Sequence, residues 1–81
     1  MDQKWLSRLC IEHGGFSDVV KDQGITRYEF VPFTVEMVDN KLEAKTTIIG
    51  SNTGSILFST DWYDYTDDQS EEIRALFRTR L

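Results

Sequence analysis

Six carboxylates crowd one stretch near the C-terminal end: Asp61, Asp64, Asp67, Asp68, Glu71 and Glu72, with Trp62, Tyr63 and Tyr65 threaded among them. Carboxylates at this density have three chemical uses: holding a divalent cation, sharing protons in acid–base hydrolysis, or presenting a negative field to a basic partner. A calcium loop would start at Asp61 and end at Glu72, with Asp67 giving a backbone carbonyl at the seventh position. The match then fails, because Tyr63 and Tyr65 stand where oxygen ligands belong and Thr66 stands where the sharp turn needs glycine. Hydrolysis by paired carboxylates needs a set separation, and no spacing here imposes one. The electrostatic use remains. Fixed charges interleaved with aromatic rings are what a protein-docking hot spot is made of. A competing structural reading places Asp67, Asp68, Glu71 and Glu72 in the first turns of a helix, where each carboxylate stabilises the positive end by about 0.3–1 kcal/mol. It also places Trp62 in the core. That reading leaves Asp61, Asp64 and the two tyrosines unaccounted for.

Other chemistry-bearing residues are sparse. Cys10 and His13 sit three apart, but two ligands are too few for structural zinc, and a cysteine on an apolar stripe reads as a small core residue. His13, the one histidine, has no nucleophile placed beside it by sequence. Gly50-Ser51-Asn52-Thr53-Gly54-Ser55 has the glycines of a phosphate cradle, yet lacks the lysine and the following helix, and reads as a hairpin turn. Arg74, Arg78 and Arg80 read as the dipole complement of a helix C-terminus. No catalytic residue, cofactor or metal site is expected.

The charge is local. The chain of 81 residues has a net charge of -5, and it contains no basic residue between Lys45 and Arg74. Outside the six acids, eight acids and nine bases remain, which sum to +1. An acidic surface disfavours direct nucleic-acid binding, since phosphates would be repelled. One cysteine excludes an internal disulfide framework. No run approaches the roughly 18 apolar residues of a membrane span, and the N-terminus does not read as a signal peptide. These features predict a cytoplasmic protein with one domain over residues 1–81. Its core is thin, because a chain this short buries only about 60% of its unfolded surface.

Elements must position the acids. Asp2 to His13 reads as a helix, with Asp2 as cap, Trp5, Leu6, Leu9 and Cys10 as its apolar stripe, Ile11 just off it, and Gly14-Gly15 as its stop. Phe16 to Gln23 reads as a turn or a short strand, on the strength of Val19-Val20, with a short helix capped by Ser17 and ended by Gly24 as the alternative. Arg27 to Val38 reads as one strand, with Val31, Phe33, Val35 and Met37 on one face and Tyr28, Phe30, Thr34 and Glu36 on the other. Pro32 then implies an edge or a bulge. Asp39-Asn40-Lys41 is a turn, Leu42 to Ile49 a second strand, Gly50 to Gly54 a turn, and Ser55 to Thr60 a third strand. The charge-free run Thr46 to Thr60 suits a central hairpin, and an edge there would allow pairing with a second copy. Thr66 to Gln69 fits a capping box opening a last helix, with Ile73, Leu76, Phe77 and Leu81 as its buried stripe.

The expected fold is α+β: an N-terminal helix, a three- to four-stranded antiparallel meander and a C-terminal helix, as a two-layer sandwich. This order with an acidic surface resembles small phage and bacterial inhibitor proteins, such as anti-CRISPR and toxin-immunity proteins, at the level of fold alone. The resemblance implies an inhibitor that occupies a basic, nucleic-acid-binding groove of a partner protein. Asp61, Trp62, Tyr63, Asp64, Tyr65, Asp67, Asp68, Glu71 and Glu72 would form the contact. A carboxylate-based enzyme and a subunit of a homo-oligomer are the alternatives. The chain is expected as a monomer or homodimer.

Overall fold

The N-terminal stripe becomes helix α1, Gln3–His13. Leu6 and Cys10 are fully buried, Trp5 and Leu9 pack against them, and Ile11 points to solvent. Gly14 ends the helix at φ 68°, with its N–H bonded to the Cys10 carbonyl. That left-handed position costs glycine little and other residues more. A computed structural model describes residues 3–30, 33–40, 42–51, 53–61 and 64–80. The expectations for Asp2 as cap, Pro32 at an edge or bulge, Val31 on a strand face, Lys41 and Asn52 in turns, and Leu81 in the last stripe fall outside those residues.

Five strands follow: β1 (Asp18–Asp22), β2 (Ile25–Glu29), β3 (Phe33–Asp39), β4 (Ala44–Gly50) and β5 (Ile56–Thr60). They form one antiparallel sheet in the order β1-β2-β3-β4-β5, and α2 (Asp67–Arg80) closes the chain. The architecture is α+β as expected, but with five strands in place of three or four. The short strand at residues 18–22 accounts for one. The other comes from a reversal inside the segment read as a single strand. Glu29 pairs with Thr34 and Tyr28 with Val35, so the chain turns back between them, and the Phe30 N–H bonds to the Phe33 carbonyl. The reversal changes the side-chain parity. Tyr28 and Phe30, expected opposite Phe33 and Val35, are buried on the same face as them.

One cross-strand row, Val19, Tyr28, Val35, Ile48 and Phe58, faces the helices. The neighbouring row, Val20, Arg27, Glu36, Thr47 and Ser59, lies on the opposite face. The core joins Leu6 and Cys10 of α1, Ile73 and Phe77 of α2, and the sheet's inner side chains. Phe77 meets Phe30 and Phe33 edge-on at 5.4 and 5.2 Å, and Phe16 packs edge-on against Tyr28 and Phe30. Each such aromatic pair adds about 0.5–1.5 kcal/mol beyond its buried area. Both helices therefore cover one sheet face, in two layers.

The charge-free run does not make a central hairpin. β4 is interior, but β5 is the sheet's outer strand. Its register with β4 slips between Ile48 and Ile49, where Ile49 meets Ile56 and Leu57 is the extra residue. Leu42, expected to start the second strand, lies in the β3–β4 turn and is 93% exposed.

Candidate functional site

Thr66 and Gln69 set the start of α2. The Thr66 N–H donates to Gln69 Oε1 at 3.0 Å, and the Gln69 N–H donates to Thr66 Oγ1 at 3.1 Å. This reciprocal pair satisfies two backbone donors of the first turn. It places Asp67 and Asp68 in that turn, at the positive end of the helix dipole. Because Asp67 onward is helical, the segment does not adopt a twelve-residue cation loop. Among the described residues, no group of three or more His, Cys, Asp or Glu side chains is placed to hold a metal ion.

The acids divide by surroundings. Asp61, Asp64, Asp67, Asp68, Glu71 and Glu72 are all exposed. Glu71 is already engaged, since its Oε1 lies 3.2 Å from Arg74 Nη1 and its Oε2 lies 3.8 Å from Arg78 Nη2. Arg74 also lies over the Trp5 ring at 5.2 Å. Asp61, Asp67, Asp68 and Glu72 form no ion pair with another described residue.

Tyr65 departs from the expected docking surface. It is 2% exposed, its ring centroid is 5.8 Å from that of Trp5, and its hydroxyl is 2.6 Å from Thr46 Oγ1. A chain neighbour of the acids is thus a core residue, held by contacts from α1 and β4. Trp62 and Tyr63 lie outside the described residues.

The fold brings something else to the acids. Asp61 follows β5 at the sheet end where the β3–β4 turn also lies, and it shares a groove of about 280 Å³ with Leu42, Glu43, Ala44 and Lys45. Asn40 shapes that turn, because its Oδ1 accepts the Leu42 and Glu43 N–H groups at 2.8 Å each. Leu42 is left in solvent beside Asp61. Sequence reading assigned it to a strand, and Asn40, whose side chain mimics a backbone turn, was the available signal.

Cys10 and His13 do not combine into a site. Burial pushes the Cys10 thiol up to about 12, so it remains protonated and unreactive. His13 sits edge-on to Phe77 and Phe30 at 5.3 and 6.2 Å and lies within 3.2 Å of the Gly14 carbonyl through Nδ1. Gly50 to Gly54 is a hairpin turn, closed by the Gly50 N–H to Ser55 carbonyl bond and the Gly54 N–H to Gly50 carbonyl bond.

No helix among the described residues is long and apolar enough to cross a membrane. Comparison with protein-family models, with curated protein sequences and with solved structures finds no match.

Proposed function

We propose that the protein is a small acidic binding module, without catalytic activity of its own, that inhibits a partner by occupying a basic groove normally used for nucleic acid. The supporting observation is that Asp61, Asp67, Asp68 and Glu72 are exposed and form no ion pair among the described residues. Carboxylates left in water lose little by moving against lysines and arginines, and they speed association through long-range attraction. Glu71 contributes less, because Arg74 and Arg78 already neutralise it. Leu42, 93% exposed beside Asp61, supplies apolar contact that buried Tyr65 does not. The shallow groove around Asp61 suits a protein surface more than a small-molecule substrate, which is held in a deep concave pocket.

The test is capture of the partner from cells that make the protein, followed by association kinetics against rising salt. Asp61→Asn, Asp64→Asn and Asp67→Asn together should slow association by about tenfold and flatten its salt dependence, with a smaller change in dissociation. The captured partner should also lose its nucleic acid when the wild-type protein is added. Association that ignores both salt and the three substitutions would refute the proposal.

A further inference from the structure

The outer side of α1 carries two opposite charges that the fold does not use, and from them we infer that the cleft between α1 and α2 binds a free α-amino acid with an apolar side chain. Trp5, Arg8, Leu9 and Glu12 recur three and four apart, so they share one side of α1. Arg74 of α2 forms the facing wall, and the five residues line a cleft of about 250 Å³. Trp5 and Leu9 are half-buried and pack on the core, which makes the floor apolar. Arg8 and Glu12 are exposed, and they form no ion pair with each other or with another described residue. A base one turn before an acid is the poorer orientation for such a pair. Both groups are therefore open to a ligand.

The charges define what that ligand is. Arg74 is held in place, with its Nη1 3.2 Å from Glu71 Oε1 and its guanidinium over the Trp5 ring at 5.2 Å. A guanidinium has five N–H donors, so Glu71 leaves several for the cleft. Glu71 balances Arg74 and Glu12 balances Arg8, so the walls together are neutral. A simple carboxylate would bring like charge to Glu12, and a simple amine would bring it to Arg8 and Arg74. A zwitterion meets neither conflict. Its carboxylate bonds the Arg8 fork, its ammonium bonds Glu12, and its side chain lies along Trp5 and Leu9. No residue within a peptide carries both charged groups, so a free amino acid is the matching form.

Unlike the shallow groove beside Asp61, this cleft has a helix on each side and an apolar floor. The affinity is in the millimolar range, because Arg8 and Glu12 stand in water, where an ion pair gains little. The cleft uses none of Asp61, Asp67, Asp68 and Glu72, so this site and the docking reading fail separately.

The experiment is titration of the isotopically labelled protein with L-leucine to tens of millimolar, read by amide chemical shifts. Saturable shifts should cluster at residues 5–12 and around Arg74. Three analogues each lack one part of the ligand: isocaproate the ammonium, isoamylamine the carboxylate, and glycine the side chain. Each should bind at least about threefold more weakly than L-leucine. Arg8→Gln and Glu12→Gln, both at exposed positions, should each weaken L-leucine binding by at least about threefold, whereas Lys21→Gln on β1 should leave it within about twofold of wild type. L-leucine that gives no saturable shift, or shifts centred away from the cleft, overturns the inference. So does equal binding of any analogue, or an affinity indifferent to either cleft substitution.

Discussion

Removing one oxygen from Tyr65 tests how the acidic segment is anchored to the rest of the molecule. The Tyr65 hydroxyl lies 2.6 Å from Thr46 Oγ1, with the two residues 2% and 0% exposed. In Tyr65→Phe the ring still packs on Trp5, but the Thr46 hydroxyl stays buried without its partner. A buried polar group left unpaired costs about 1–3 kcal/mol, more than the 0.5–1.5 kcal/mol net worth of the bond. For a domain of this size that corresponds to a fall of roughly 4–8 °C in Tm per kcal/mol. Thr46→Val removes the other hydroxyl with little change of shape. The double variant leaves neither group stranded, so its cost should fall short of the sum of the singles by about 1 kcal/mol. Urea denaturation followed by tryptophan fluorescence reads all three. A Tyr65→Phe variant within about 0.3 kcal/mol of wild type, with additive costs, would refute the bond and return Tyr65 to the surface.

Three further outcomes follow from the packing. Ser70 Oγ is buried with no hydrogen-bond partner among the described residues, so Ser70→Ala should be neutral or stabilise by about 1 kcal/mol in the same assay, and a loss of that size would mean the hydroxyl is satisfied. A Cβ on Gly24, at φ 82°, would run into the Asp39 carbonyl, while one on Gly54, at φ 70°, meets open space. Gly24→Ala should therefore cost at least about 1 kcal/mol more than Gly54→Ala, which bears only the left-handed backbone penalty of about 1–2 kcal/mol; equal costs would show that the β3 end yields. Burial raises the Cys10 thiol from 9.0 to about 12, so the folded state holds its proton more tightly than the unfolded chain does. That stability is complete below pH 9.0 and is lost as pH climbs toward 12, and Tyr28, raised by burial, adds the same sign. Urea midpoints should fall across this range, and a thiol reagent should label Cys10 only as fast as the protein opens; rapid labelling of the folded protein would contradict its burial.

Local devices were legible in the chain itself. The α1 stripe, the glycine stop after His13 and the reciprocal Thr66–Gln69 cap all depend on residues three or four apart, so their residue types announce them. The alternation through Thr46 and Ile48 likewise marked the strand that is β4, although Thr47 between them is buried as well. The reversal at Phe30 to Phe33 was hidden because apolar residues recur on both sides of it, and alternation alone does not reveal a change of direction. Pro32 was the signal that a continuous strand was the wrong reading, since proline interrupts a strand's ladder.

The chain alone determined that a negative stretch adjoins the last helix, because charge and cap are written in side-chain types. Only the tertiary structure decided which of those neighbours face water. Tyr65 went inward because Trp5 and Thr46 converge on it, while Leu42 stayed outside because Asn40 bends the chain before β4 begins. The same holds for β5, whose place at the rim follows from how five strands are ordered. Exposure depends on what the rest of the chain brings alongside a residue, and contacts between distant segments leave no mark in local composition.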